Sequence, residues 1–462
     1  MPISKHIIAI LIGLWLIVQL TPGAQADLPV QGMPVPKLAE FDAVMQEYMA
    51  DNDINAAVLG IMKDHQIIYL RGFGYKDQDL SVNLPENAMM RIASVTKPFT
   101  AAAIRKLIDW GGIELGQRVF TLDLSAGILN YTPWDDGEEI DDRLERITVD
   151  HLLRHRGGWD RDIRPIRDLS KETIQIALDM EFSPYRVPDR VEIVQWIMSH
   201  DLEFDPGLRY AYSNEGYLIL GLILEQESGK DLHTFWRDHV LDSSTLWFPT
   251  SEFENGYSFA KDQNPREPWY NWTGTGKNVF APDNYVPLPY GGWDHQSRVA
   301  QGGMIASAVP LLHLADNYVL DGTSIGIPLT TPIYEDKPGG LAGTEALARQ
   351  RGDGINYAIL INKIGPNPYY ASELKTLIDV EISNTSTWPT QAVDGIWVDF
   401  TYDHSEQGCY NEPFDSIDDL TDPNKVKPYS KARIKSGSTT WTGTINQEII
   451  LSAPEGPVVI GQ

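Results

Sequence analysis

Strand-forming runs stand near the two ends of this chain and helix-forming runs fill the stretch between them. Any sheet must therefore be closed by pairing across most of the chain's length. "INAAVLGIMKDHQIIYLRGFGY" (54–75) reads as two strands around a turn near Lys63-Asp64-His65. "EALARQRGDGINYAILINK" (345–363) reads as a second hairpin around Gly352-Asp353-Gly354. Between them, 93–112, 147–160 and 215–240 carry apolar residues at helical spacing, the last as the longest buried helical pattern. Helices at 35–52 (Leu38, Phe41, Val44, Met45 and Tyr48 on one side) and at 369–382 (Leu374, Leu377 and Ile378 inward) flank the two hairpins. Strands near both ends with helices between fit a mixed sheet completed by non-local pairing.

The remaining segments have their own textures. Lys5 and the apolar run Ile7–Leu20 precede "TPGAQA", where Ala24 and Ala26 form a small-x-small site. That run is short for a bilayer span, so residues 1–26 read as a secretory signal peptide cut after Ala26. The expected location is secreted or periplasmic, with no stable membrane insertion after cleavage. Residues 246–293 are rich in aromatics, Pro, Gly and Asn: either a satellite core under long loops or one wall of a substrate cleft. After Trp388-Pro389 the chain turns polar with short β-prone runs, so 27–389 is read as the main domain and 390–462 as a small β-rich module. Cys409 is the single cysteine, which rules out an internal disulfide. A net charge of −27 argues against nucleic acid or an anionic membrane as partner. Asn-x-Ser/Thr sites at Asn130, Asn271 and Asn384 have meaning only in a glycosylating host.

Ser-x-x-Lys occurs three times, at Ser94/Lys97, Ser258/Lys261 and Ser372/Lys375, so the spacing alone selects nothing. Chemistry narrows the choice. A serine needs a neighbouring base, and residues three apart on a helix share a face. A free lysine has a pKa of about 10.4 and must be brought down by about three, roughly 4 kcal/mol, by burial and nearby cations. Ser94 heads a small apolar helix, "FTAAAIRKLI", suited to burying Lys97, with Pro98 near its start and Gly111-Gly112 as its stop. Ser258 lies in the irregular aromatic stretch and Ser372 on a solvated face. Tyr212-Ser213-Asn214 is the one Tyr-x-Asn match, and its two outer side chains share a direction in extended chain. Of the Lys-x-Gly matches, Lys337-Pro338-Gly339 precedes Gly340 and the second hairpin, where a glycine lets a substrate lie along the sheet edge. Lys363-Ile-Gly365 and Lys435-Ser-Gly437 are the others, the last set aside because it lies in the appended module.

In this order and setting the chain resembles the serine β-lactamase and penicillin-binding-protein superfamily. The nearest branch is the class C β-lactamase-like one that includes carboxylesterases and D-amino-acid-specific peptidases. The likeness runs over about 36–389 and includes "ITVDHLLRHRGGWD", "FDPGLRYAYSNEGYLILGLILE", "QGGMIASAVPLLHLAD" and "KPGGLAGTEALARQRGDGINYAILIN". It implies an α+β, β-lactamase/transpeptidase-like fold, an antiparallel sheet flanked by helices plus an all-helical subdomain, with Ser94 as acylated nucleophile and Lys97 as proton acceptor. Tyr212 would be the proton shuttle, Asn214 would position substrate and Lys97, and Lys337 would place positive charge beside the substrate. The N–H groups of Ser94 and Gly340 would form the oxyanion hole. His155 matches a family helix-end histidine and is taken as structural.

Two departures stand out. Pro338 replaces a residue that commonly brings a hydroxyl to a substrate carboxylate. The stretch 303–337 looks short and without a clear strand, which suggests a damaged sheet edge. The expected activity is a serine hydrolase of small esters or amides needing no metal or organic cofactor, esterase-like. The alternatives are a D-amino-acid peptidase or β-lactamase acting on cell-wall peptides or antibiotics, and a cell-wall-sensing protein that acylates without turnover.

Overall fold

Both hairpins form, and they join into one sheet. In chain order, β1 (Val30–Gln31) and α1 (Ala39–Asp51) precede β2 (Ala56–Lys63) and β3 (Gln66–Gly74), and β4 (Met90–Arg91) leads into α2 (Thr96–Asp109). The middle is helical: α3 (Val149–Leu153), α4 (Thr173–Asp179), α5 (Arg190–Met198), α6 (Asn214–Ser228) and α7 (Leu232–His239). Short strands β5 (Phe253–Asn255), β6 (Gly276–Asn278), β7 (Ala281–Val286) and β8 (Met304–Ala306) follow, then α8 (Ala308–Asn317). The second group is β9 (Glu335–Leu341), β10 (Thr344–Gln350), β11 (Ile355–Ile361) and α9 (Tyr370–Asn384). The tail carries β12 (Ile396–Val398), β13 (Lys431–Ile434), β14 (Gly437–Thr439), β15 (Ile450–Ser452) and β16 (Val458–Ile460). The computed structural model describes residues 28–461 except 124–125, 136, 138, 164–172, 242–251, 366–368, 405, 407, 423–424, 427–429 and 448. The expected signal peptide lies outside the described residues, as do Trp247 and Phe248 of the aromatic stretch.

The main sheet has six strands in the order β1-β3-β2-β11-β10-β9, antiparallel throughout. Its centre is the non-local pair β2–β11, in register from Lys63↔Ile355 to Ala57↔Ile361. Successive strand residues face opposite sides. Accordingly Val58 and Met62 belong to one buried cluster, while Ala57, Leu59 and Ile61 belong to the other. On the second face lie Phe41 and Met45 of α1 with Leu374 and Ile378 of α9. On the first lies α8, so close that a Cβ at Gly60 would come within 2.9 Å of Leu312 Cδ1. Coverage on both sides explains why β2 and β11 are almost continuously apolar.

Several expectations change. The 215–240 pattern is two helices: Gly229, at φ 65°, ends α6, and Asp231 caps α7 by accepting from Thr234 N–H at 2.9 Å. Leu377 of α9 is exposed rather than inward. The edge strand expected to be missing is present as β9, paired with β10 over seven positions from Gln350↔Glu335 to Thr344↔Leu341. The aromatic stretch holds three short strands, and its rings divide their roles. Phe253 packs on Phe99 and Trp236 in the core, Trp269 and Tyr290 form a satellite pair, and Trp272 and Trp293 line a cleft. Among the described residues no helix is long and apolar enough to cross a membrane.

Candidate active site

α2 runs through the middle of the helical layer, buried at every position from Thr96 to Arg105. Its small residues permit this: Ala101, Ala102 and Ala103 are all fully buried. Trp110 caps its end, and Gly111 follows at φ 75°, a conformation that favours glycine. Ser94 lies just before α2, in the 3-10 turn Ala93–Val95, so the α-helix begins two residues later than the sequence suggested. Ala93, the residue before it, is held at φ 46°, a left-handed conformation unusual for alanine. Ser94 is half-buried among neighbours that are all buried, so it is the one residue of the turn that keeps partial exposure.

Three sequence motifs meet at this turn. Lys97 Nζ is 3.3 Å from Ser94 Oγ and donates to Asn214 Oδ1 at 2.8 Å and to the Gln301 carbonyl at 2.7 Å. Tyr212 donates its phenol proton to Ser94 Oγ at 2.8 Å. Tyr212 and Asn214 are half-buried while Ala211, Ser213 and Glu215 are buried, the alternation expected when both side chains reach one cleft. Ser213 turns inward and caps α6, accepting from Gly216 N–H at 3.2 Å. Burial holds the Tyr212 phenol above its ordinary pKa, against the opposing pull of Lys337, so it stays a proton donor at neutral pH. Lys337 Nζ stands 5.8 Å from the centre of the Tyr212 ring.

β9 places the third motif. It is the outer strand of the sheet, with no further strand paired beyond it among the described residues. A two-residue turn, Ala342-Gly343, joins it to β10, so Leu341 and Thr344 form the closing hydrogen-bonded pair. Antiparallel residues alternate between bonding to the partner strand and turning away from it. Gly340 and Pro338 therefore turn away from β10, which also explains how a proline without N–H is tolerated there. By that alternation the Gly340 N–H is turned away from β10, one residue along from Gly339, which lies against the Ser94 turn. Gly339 has a different role from the one expected: a Cβ there would lie 2.3 Å from Ile92 O and 2.9 Å from Ser94 N. The turn carrying Ser94, rather than a substrate, is what packs against Gly339.

His155 is structural, and its function is to hold the Tyr-x-Asn segment. Its carbonyl accepts from Ala211 N–H at 2.9 Å, and its Nδ1 accepts from Ser213 N–H at 3.2 Å. Its ring stacks on Tyr212 and Tyr217 at 4.5 and 5.1 Å. Burial first, then Lys97 and Lys337, hold its imidazole well below the ordinary pKa, so it is neutral. Sequence reasoning missed the Gln301 carbonyl, Asp321 (bonded to Lys337 at 3.0 Å) and Arg161, 4.8 Å over the Tyr212 ring. A main-chain acceptor has no side-chain signature, and the other two sit on segments remote from the motifs.

The rival motifs do not assemble. Ser258 Oγ is buried and accepts from His295 N–H at 3.2 Å. Lys375 pairs with Asp336. Lys435 lies between the tail strands β13 and β14, beside Asp399. Next to Gly340 opens a cleft of about 760 Å³ walled by Trp272, Leu288, Trp293, Leu341 and Ile364.

A family model described as Beta-lactamase matches residues 41–363, well over half of the 462. Protein flp of Staphylococcus aureus (strain MW2) is 25% identical over 202 residues, 44% of this chain and 36% of that protein. Esterase EstB of Burkholderia gladioli is 25% identical over 194 residues, 42% of this chain and 46% of that one. The chain thus spans less than half the length of these relatives. Among solved structures, the octameric penicillin-binding protein homologue from Pyrococcus abyssi superposes with TM-score 0.51 at 20% identity, covering 75% of this chain and 77% of that one. A D-amino acid amidase from Ochrobactrum anthropi SV3, complexed with D-phenylalanine, gives 0.52 at 17%, covering 75% and 99%. At these identities the superpositions speak to the fold, which is β-lactamase/transpeptidase-like. With the family match running through Ser94, Lys97, Tyr212, Asn214 and Lys337 on that fold, the chain belongs to the Beta-lactamase family.

Proposed function

We propose that this chain is an exported serine hydrolase that passes the acyl group of a small ester or amide through Ser94, with esters favoured. One observation carries the reading: Ser94 Oγ, on a half-buried side chain, lies between Lys97 Nζ and the Tyr212 hydroxyl, at 3.3 and 2.8 Å. The Tyr212 phenol is protonated, so the group available to take the Ser94 proton is Lys97 in its neutral form. Oγ attacks the carbonyl carbon, and the oxyanion is received by the Ser94 and Gly340 N–H groups. Tyr212 then protonates the departing alcohol or amine as the bond to it breaks. Water, deprotonated through the same Tyr212–Lys97 pair, releases the acid. Each oxyanion donor of this kind is worth about 10²–10³ in rate.

Esters are favoured because the cleft beside Gly340 is lined largely by apolar and aromatic side chains, while alcohol departure asks less of the proton donor than amine departure. The similarity to Esterase EstB supports this reading, and the D-amino acid amidase fold neighbour keeps an amide of a D-amino acid as the second. Export rests on the run Ile7–Leu20 and the site at Ala24 and Ala26. The test is 4-nitrophenyl ester hydrolysis with intact-mass measurement of the protein. The wild type is expected to acquire and lose an acyl mass. Ser94→Ala is expected to acquire none and to lose about 10⁴-fold or more in kcat/KM. Undiminished hydrolysis by Ser94→Ala would remove Ser94 as the nucleophile.

A further inference from the structure

We propose that Asp321 sets the charge preference of this site, turning away acyl donors that carry a free carboxylate and admitting uncharged ones. The proposal rests on the acyl transfer through Ser94 argued above and names its substrate class.

Lys337 is the cation that the third motif brings to the site, but it is not presented bare. Its side chain is 4% exposed, and its Nζ donates to Asp321 Oδ1 at 3.0 Å. The Asp321 side chain is 42% exposed, so at this pair a group approaching from solvent meets the carboxylate before the ammonium. The pair is close to the chemistry: Lys337 Nζ is 5.8 Å from the Tyr212 ring, whose hydroxyl touches Ser94 Oγ. A substrate carboxylate approaching Lys337 would have to displace Asp321 or share one ammonium with a like charge. Negative charge is already crowded there. Glu335, two residues before Lys337 on β9, has its carboxyl pushed up by burial and then by Asp321 and Asp336. Pro338, exposed on the same strand edge, offers an incoming carboxylate neither a hydroxyl nor an N–H. The cleft wall beyond Gly340 is largely aromatic and aliphatic, which suits an uncharged acyl chain; of its two cations, Arg91 is buried and bonded to the Pro289 and Tyr257 carbonyls, and Lys277 is exposed. Arg161, over the Tyr212 ring at 4.8 Å, and Lys277, exposed on the cleft lining, are cations that would oppose this preference.

A matched pair of substrates reads the preference directly: the mono-4-nitrophenyl ester of glutaric acid, and the same ester with its free carboxyl methylated. The wild type is expected to favour the methylated ester by about tenfold or more in kcat/KM, the size of a like-charge contact in a partly solvated site. In Asp321→Asn the gap should shrink to within about threefold, and in Asp321→Glu it should persist. The wild-type comparison needs no variant, so it stands even where a substitution harms folding. Equal rates on the two esters, or a preference for the carboxylate served by Arg161, would overturn this proposal while leaving Ser94 acylation intact. So would a gap unchanged in a folded Asp321→Asn protein. If neither ester reacted and neither left an acyl mass, the hydrolase reading would fall, and this one with it.

Discussion

At the scale of single residues, the site depends on groups kept uncharged or paired inside the fold. His155 shows this most directly. In the unfolded chain an imidazole titrates near about 6.5, whereas in the native protein burial, Lys97 and Lys337 hold it well below that. Below about pH 6.5 the unfolded state therefore binds the extra proton. The His155 contribution to stability is complete above that pH and is lost as pH falls. Buried His295 acts in the same direction. Buried Glu86, Glu252, Glu267 and Glu345, with carboxyls pushed up by burial, act in the opposite one. The wild type must therefore be compared with His155→Asn, which removes one term and leaves the rest. The difference in urea-unfolding stability between the two proteins should fall by up to about 1.4 kcal/mol per pH unit below pH 6. A difference independent of pH would mean that native His155 binds its proton normally. The chemistry of Ser94 and Lys97 was legible from sequence because their spacing and helix are local. Asp321 was not, because its meeting with Lys337 is made by a loop after α8 reaching the sheet edge.

At the scale of elements, β9 decides how the Gly340 N–H, the proposed oxyanion donor, stands to the Ser94 turn. Two adjacent glycines give opposite expectations. A Cβ at Gly339 would strike main chain, Ile92 O at 2.3 Å and Ser94 N at 2.9 Å, so Gly339→Ala must push β9 from the Ser94 turn. A displacement near 1 Å typically costs about 10² in rate, which is the loss expected in kcat/KM. At Gly340 the nearest atom is Ile364 Cδ1 at 3.2 Å, the yielding end of a side chain, so Gly340→Ala should retain most activity. Steady-state kinetics on one ester, with a thermal melt of each variant, checks both; equal losses would contradict the packing described. β9 was illegible beforehand for a physical reason. Glu335, Asp336, Pro338 and two glycines are poor strand formers, and the strand exists because β10 offers it a ladder. The break between α6 and α7 was legible in principle, since Gly229 and Asp231 are a stop and a cap in succession. A continuous apolar period obscured them.

At the scale of the whole molecule, the tail read as a separate module packs into the same core as the catalytic layers. Ile396, Val398, Phe414, Leu420 and Ala432 are buried in one cluster with Val58 of β2 and Phe99 of α2. Hydrogen bonds fasten it: Val393 N–H to Ile67 O at 2.8 Å, Gly32 N–H to Asn411 Oδ1 at 2.7 Å, and Tyr410 N–H to Glu86 Oε1 at 2.8 Å. The single cysteine makes this testable without a substitution. Cys409 is buried in the tail, with its thiol pushed up by burial, so it should resist a thiol reagent in the native protein. Its labelling across a urea series should share one midpoint with loss of circular dichroism, as a single cooperative unit requires. Labelling at lower urea would show the tail opening by itself.

The sequence by itself determined what is set within a turn or two of chain. That includes the strand and helix periods, the Ser-x-x-Lys face with its small buried helix, the outward phase shared by Tyr212 and Asn214, and the family likeness these carry. Only the folded chain supplied the Gln301 carbonyl to Lys97. Tertiary structure also decided that β9 forms at all, that Gly339 receives the Ser94 turn, that Asp321 covers Lys337, and that the tail shares the main core. The reason is common to all of these: each depends on segments far apart in sequence, and no local preference records which surfaces the folded sheet brings together.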